Sequence, residues 1–334
     1  MATSGSWNYS NTALNIITSA AEDIGVIELG QTLAAGDLST MLRTLNQLVK
    51  QWQGRSDKFP GLKIWTRQRL TIFFVSAQSR FLIGPASADD RASVNKIATT
   101  LSAAKAANAT VITLTSTAGM TAADVIGFVT TAGPLGWSTI SSVDSATQVT
   151  IPANTIGAAA GSNVVYTYTS KAQRFVEIEA AVLRDDSSAG QPIDIPIEIY
   201  TDVAQYENIT QKLAAGDPTA ILVEPQRLNT AITCNFASPN TYRNLRLTVI
   251  YPSEDYVDAT GADDISYPQE YYAALEWELA RRSAPKFGKP WGQDMIHHWN
   301  IAVNEGVNLN PDDTSLCFEP GRESTDVGSP FTRP

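Results

Sequence analysis

The chain has 334 residues, 43% of them apolar and 17% charged, and a formal charge of -10. That length is enough for two or three domains with a sizeable core. The acidic balance argues against tight, sequence-reading DNA binding, which neutralises phosphates with Lys and Arg; its first reading is plain solubility, and its second a surface past which DNA slides without sticking.

Residues 12–25 read as a helix, because Ala13, Ile17, Ala20 and Ile24 fall on one helical face. Asn11 or Ser10 is placed to cap its start and Gly25 to end it. A second helix is predicted over 38–53, with Met41, Leu45, Leu48 and Trp52 on one face, Asp37 as N-cap and Gly54 as C-cap. Two such helices joined by a loop make an antiparallel hairpin whose stripe is core. From residue 63 the period changes. The runs 70–75 and 80–83 flank Ser76-Ala77-Gln78-Ser79 and predict a β-hairpin.

Residues 91–170 differ in composition, with five charged residues and fifteen threonines among 80. Short β-rich runs at 110–116, 125–131, 137–141, 148–151 and 164–169 are separated by turn residues such as Gly119, Gly133-Pro134 and Asp144-Ser145. This regular alternation of strand and turn predicts a small all-β barrel or sandwich. Strands are expected again at 172–183, 193–201, 220–223, 231–236 and 244–251. In 193–201, Ile193, Ile195, Ile197 and Ile199 alternate onto one face. A short helix is expected at 202–213. Because β-structure lies on both sides of it, 91–170 reads as an insertion.

The C-terminal part is helical again. Pro268 at a first-turn position followed by Glu270 opens a helix over 268–285. Tyr271, Leu275 and Leu279 form its stripe, and Glu278 can pair with Arg282 at i,i+4. A last helix over 291–305 carries Met295, Trp299, Ala302 and Val303 on one face. Residues 307–334 hold four prolines and few large apolar groups, and are expected to form an extended arm. The fold class expected is α+β: a discontinuous host domain (1–90 and 171–306), an inserted all-β domain (91–170) and the arm.

Motifs of chemistry are few. There is no phosphate-cradling glycine loop and no nucleophile elbow. His297 and His298 are adjacent on a helix and point about 100° apart, so they do not easily share a metal; a helix-surface or inter-subunit place is expected for them ahead of one serving as base to a serine. The carboxylates Asp185-Asp186, Asp263-Asp264 and Asp312-Asp313 fall in predicted turns, where Asp is favoured for backbone reasons; Glu177 and Glu179 lie in a strand. Cys234 and Cys317 make neither a disulfide framework nor a metal spacing, and a reducing cytosol is the compartment expected. No run of about 18 apolar residues predicts a membrane span, and the opening residues lack the pattern of a secretory signal. No catalytic residue, cofactor or metal is expected. The densest basic cluster is Arg281-Arg282 with Lys286 and Lys289, at a helix C-terminus where cations are favoured anyway.

Five segments in a fixed order carry a resemblance. They are Ala13-Leu14-Asn15-Ile16-Ile17 through Glu22-Asp23-Ile24-Gly25-Val26; Leu42-Arg43-Thr44-Leu45-Asn46-Gln47-Leu48 through Trp52-Gln53; and Ile64-Trp65 with the strands after it. Then come Asp202-Val203-Ala204-Gln205-Tyr206-Glu207-Asn208-Ile209 with Gly216-Asp217-Pro218, and Tyr267-Pro268-Gln269-Glu270-Tyr271 with Ala284-Pro285-Lys286-Phe287-Gly288. In this order they resemble the head-to-tail adaptors, or packaged-DNA stabilisation proteins, of short-tailed bacteriophages. The resemblance covers roughly 10–85 and 172–305; residues 91–170 depart from it. It implies a structural protein of the virion neck, made in the host bacterial cytoplasm, that forms a ring of about twelve copies between the portal and the tail nozzle or tube. It implies that DNA passes through the ring without sequence recognition and that the C-terminal arm reaches along the portal. Phe318, Pro320, Arg322 and Phe331 are the arm residues expected to touch the portal. Arg281, Arg282, Lys286 and Lys289 are candidates for the channel or the subunit interface. Competing expectations are a tail-borne peptidoglycan hydrolase and a fibre- or receptor-binding component, with 91–170 as the module that meets a fibre, spike or receptor.

Overall fold

A computed structural model describes residues 9–52, 67–75, 78–84, 91–133, 135–153, 156–186, 192–210, 212, 214–237, 243–258 and 260–309. The chain is mixed α+β and divides into two compact units, residues 1–62 with 255–334, and residues 63–254. The sequence reading cuts instead after residues 90, 170 and 306.

The first unit is helical. It contains α1 (Ala13–Asp23), α2 (Ala35–Trp52), α4 (Tyr272–Ser283) and α5 (Gln293–Leu309); α3 (Val203–Glu207) lies in the second unit. The expected stripes of α1, α2 and α4 are core: Ala13, Ile17, Ala20, Ile24, Met41, Leu45, Leu48, Tyr271, Leu275 and Leu279 are buried together in one apolar cluster, joined by Ile16, whereas of the stripe expected on α5 only Ala302 is buried and Met295, Trp299 and Val303 are half-buried. Details of the caps differ from expectation. Thr12, rather than Asn11 or Ser10, caps α1 by accepting from Asn15 N–H. Asp37 sits inside the first turn of α2. Gly25, with φ +66°, does end the first helix in the left-handed conformation that favours glycine. The helix expected over 268–285 is a 3-10 turn (Gln269–Tyr271), then α4, then a second 3-10 turn (Ala284–Phe287) closed by left-handed Gly288.

Backbone contacts join the distant halves of this unit. Ala13 N–H donates to Asp263 O at 2.9 Å, Leu14 N–H to Gly261 O at 2.7 Å and Ile265 N–H to Asn11 O at 3.0 Å. The Asn46 amide bridges the Tyr256 backbone, donating to its carbonyl at 2.8 Å and accepting from its N–H at 2.9 Å. Gly261 has φ +71°, and a Cβ there would lie 3.1 Å from the Leu14 backbone.

Among the described residues the second unit contains four sheets. One has the order β12-β11-β16-β1-β3, with β1 Arg67–Phe73, β3 Ala92–Ser93, β11 Glu177–Asp185, β12 Ile193–Pro196 and β16 Arg243–Ile250. Another has the order β13-β14-β15-β2, with β2 Arg80–Ile83, β13 Glu198–Tyr200, β14 Ala220–Pro225 and β15 Thr230–Cys234. Leu70, Ile72, Phe81, Ile83, Ile221, Ile232, Leu245 and Leu247 are buried in the apolar core that these two sheets share.

Two expectations fail here for one reason: the chain changes sheet. The 70–75/80–83 hairpin does not form. β1 pairs with β16 and β3, while β2 pairs with β15. Phe74 and Phe81 meet instead through their rings, 5.9 Å apart in the shared core. Likewise 193–201 is not one strand. β12 ends at Pro196, which has no N–H for a ladder, and β13 joins the other sheet. Ile197 is therefore buried while Ile193 and Ile195 are exposed. The helix expected over 202–213 is only α3, capped by Asp202.

Residues 97–168 supply the other two sheets. One has the order β4-β10-β6-β7, with β4 Ile97–Thr100, β6 Val125–Val129, β7 Leu135–Thr139 and β10 Val164–Tyr168. The other has the order β5-β9-β8, with β5 Val111–Thr113, β8 Ser142–Ser145 and β9 Gln148–Thr150. They have a core of their own around Ile112, Leu114, Ile126, Phe128, Val149 and Val165. An aromatic cluster ties them to β1. Phe73 lies 4.8 Å from the Tyr166 ring, 5.2 Å from Trp137 and 6.1 Å from Tyr168. Trp137 covers Gly127, where a Cβ would meet the indole at 2.5 Å. This joint, with the β1–β3 pairing, is why residues 91–170 belong to one compact unit with the strands that flank them.

In the helical unit, Asp23 at the end of α1 and Glu276 on α4 form a hydrogen-bonded carboxyl pair. Burial, then the neighbouring Asp23 charge, pushes Glu276 up to about 7; burial also raises Asp23. Glu22 adds a like charge, and His298 from α5 opposes it at Asp23. Raised carboxyl values mean that the fold favours the protonated form. Stability should be highest near the ordinary carboxylate range and fall as pH rises towards 7 and above. Glu276→Gln should raise the melting temperature at pH 8 and flatten its decline between pH 5 and 8 in thermal melts. Leu45→Asp, which buries an unpaired charge, should cost on the order of 4 kcal/mol, read as loss of helical circular dichroism at lower temperature.

Candidate functional site

The basic cluster singled out in the sequence lies where α4 ends and α5 returns along it. Its centre is Glu278, 3% exposed. Arg281 donates to it twice, Nε to Oε2 at 2.8 Å and an Nη to Oε1 at 2.6 Å. Arg282 Nε donates to Oε1 at 2.7 Å, which is the expected i,i+4 pair. Trp299 Nε1 on α5 donates to Oε2 at 2.6 Å, and Arg281 also stacks over the Trp299 ring at 5.1 Å. Burial alone would raise the Glu278 carboxyl. The bonds and charges of Arg281 and Arg282, with the Trp299 bond, outweigh it and hold the carboxyl below its usual range.

The remaining cations also have partners within this unit. Arg282 reaches Gln51 Oε1 at 2.7 Å, Lys286 Nζ donates to Thr44 Oγ1 at 2.6 Å, and Lys289 donates to the Gly25 carbonyl. The four basic residues therefore fasten α4 and its C-terminal turn to α1, α2 and α5. Each has spare N–H groups, so a surface role is compatible with this work. A cleft of about 560 Å³ runs beside them, lined by Arg281, Pro285, Lys289, Trp291, Ile296 and Trp299. A groove of about 710 Å³ follows the outer face of α2, where Arg43, Gln47 and Lys50 meet Arg282.

Phe318, Pro320, Arg322 and Phe331 lie outside the described residues, as do Cys317 and Asp312-Asp313. His298 stacks on Trp277, with ring centroids 5.2 Å apart, and His297 is its tilted neighbour at 6.0 Å. Several expected turn carboxylates serve the backbone or an ion pair. Asp263 Oδ2 accepts from Val257 and Asp258 N–H, both at 2.8 Å, and Asp185 pairs with Arg243 at 3.0 Å. Glu179 pairs with Arg67. Cys234 is buried and its thiol is pushed up to about 12 by desolvation, so it is a poor nucleophile. Among the described residues no group of three or more His, Cys, Asp or Glu is placed to hold a metal. No family model and no curated protein matches the chain.

Sequence reasoning did not find Trp299 as a partner of Glu278, nor the Asp23–Glu276 pair. The signal for the first was a Glu beside Leu279 on the buried stripe with arginines three and four residues on. The second had none, since its members are more than 250 residues apart in the chain.

Glu278→Gln keeps the shape and removes the charge that holds both arginines. It should cost about 2 kcal/mol at pH 7, measured by denaturant unfolding. A carboxylate held low in the fold stabilises above its unfolded value, and that stabilisation is lost as pH falls through the folded one. The variant should therefore lose less stability than the parent on acidification below pH 4.

Proposed function

We propose that the chain is a structural subunit of a phage neck, forming the ring that joins the portal to the tail nozzle or tube, helps retain packaged DNA and guides its exit. The observation that carries this reading is convergence. Three of the five resembling segments, at 13–26, 42–52 and 267–288, contribute Ile16, Leu45, Tyr271 and Ala284 to one apolar core, although the first and last begin more than 250 residues apart in sequence. That these three meet in one architectural unit supports the reading. The basic residues among and beside them act as fasteners, as a scaffold requires.

On this reading the helices make the ring wall, and residues 91–170 are an inserted all-β barrel or sandwich in a helix-and-sheet host. The arm beyond α5 docks along the portal, where its ordering entropy is offset by repeated weak contacts around the ring. The acidic chain, at -10, suits a channel through which DNA passes without sequence recognition.

Residues 307–309 close α5 rather than begin the arm, so deleting 310–334 should abolish co-sedimentation with portal rings and leave circular dichroism and the melting curve unchanged. Full binding by the truncated chain would remove the arm from the account. Deleting 91–170 with a short linker should leave ring assembly in place, scored by native mass spectrometry on portal complexes.

A further inference from the structure

A second cleft, of about 420 Å³, opens in the β-rich unit where β4 and β10 face the end of β11. Alternation places Lys96, Ala98 and Thr100 on one side of β4, and register sets Val164 opposite Thr100 and Tyr166 opposite Ala98 on β10. Arg184, Asp186 and Pro192 line the facing side.

The polar atoms here form a built network. Asp186 Oδ2 accepts from Asn244 Nδ2 at 2.7 Å, from the Tyr166 hydroxyl at 3.1 Å and from Lys96 Nζ at 3.4 Å. Arg184 Nε lies 3.3 Å from Asp186 Oδ1 and 3.4 Å from Asp194 Oδ1. Lys96 also lies over the Tyr166 ring, 5.2 Å from its centroid. The Thr100 and Thr115 hydroxyls meet at 2.8 Å on the adjoining wall. Lys96, Arg184 and Asp186 are only 15 to 18% exposed, so the network is pre-organised rather than a solvated surface.

Two features choose the ligand class. Charge-assisted N–H···O bonds close to about 2.7–2.9 Å when they are satisfied, and the lysine and arginine contacts are longer. Lys96 Nζ, with three N–H donors, makes one long bond to Asp186, and Arg184 Nε is buried yet makes no hydrogen bond to either carboxylate. Second, Lys96 and Arg184 are offset by Asp186 in the lining and by Asp194 beside it, and an added ion of either sign would sit half-desolvated without a counter-charge. A neutral group that both donates and accepts meets the lining without disturbing that balance, and a hydroxyl does both. Val164, Ala98 and Pro192 offer apolar surface for the C–H edge of a ring. The volume is in the lower part of the roughly 300–1,000 Å³ range of small-ligand clefts.

We infer that this cleft binds a neutral, hydroxyl-rich ring, a hexose-type saccharide. Its ring and hydroxyl oxygens accept from Lys96 and Arg184, and its hydroxyls donate to Thr100, Thr115 and Asp186. The inference stands apart from the ring reading, since assembly does not need the cleft and the cleft does not need assembly.

The test is saturation-transfer NMR on the full chain with glucose, galactose, mannose and N-acetylglucosamine, each run separately, and with citrate and inorganic phosphate as ionic probes. At least one sugar should bind and the ionic probes should not. Thr100→Val and Lys96→Met should each weaken sugar binding roughly 3- to 10-fold, with the circular dichroism spectrum of the parent. No transfer to any of the four sugars, binding of the ionic probes in their place, or undiminished sugar binding by a folded Thr100→Val chain would overturn the inference.

Discussion

The helical unit exists only if the two ends of the chain find each other. Its apolar core takes one half from residues 13–49 and the other from residues 256–284, and neither half can bury its stripe alone. The contacts that register the halves are backbone or near-backbone bonds: the Asn46 amide to Tyr256, 210 residues away, and Ala13 and Leu14 to the 261–263 turn. Closing so long a loop costs entropy, but that cost grows only slowly with length, so a compact β-rich unit can occupy the span. Gly261 is part of the same constraint, because its left-handed backbone leaves room for Leu14.

The same unit treats buried carboxylates in two opposite ways, and the difference is the donors available. Glu278 is the more deeply buried yet stays ionised, because two arginines and an indole N–H converge on it. Asp23 and Glu276 have mainly each other, with Glu22 close by, so the pair favours keeping a proton. One arrangement fastens α5 to α4 through a charge. The other makes the α1–α4 contact sensitive to pH near neutrality. Both follow from which residues each helix presents to the next.

Much of the local structure was legible in the sequence, and the failures share a cause. Helical stripes such as Met41-Leu45-Leu48 and the strand–turn rhythm of 91–170 are set by periodicity within a few residues, and a strand overlaps each of the five expected runs, although β4 was not expected and Asp144-Ser145, read as a turn, lies in β8. The hairpin at 70–83 and the single strand at 193–201 failed because partner choice is not local. Phe74 and Phe81 are as apolar as hairpin residues would be, but they cross from one sheet to the other. The alternation of Ile193 to Ile199 is real, yet Pro196 breaks its ladder and sends the two halves to different sheets. The cluster at Arg281, Arg282, Lys286 and Lys289 was visible as charge, and so was the local Glu278–Arg282 pair, whereas its attachment to Gln51, Thr44 and Gly25 depends on the tertiary fold. Asp186, at the centre of the β-unit network, reads in the sequence as an ordinary turn aspartate.

The central claim is that this fold is a scaffold whose converging helices serve assembly. Electron cryo-microscopy of the purified chain mixed with portal rings tests it most directly. The account predicts a closed ring of this chain beneath the portal, with the helical unit in its wall and continuous density running from it along the portal surface. Bare portal rings beside a free, monomeric chain at high concentration would contradict it.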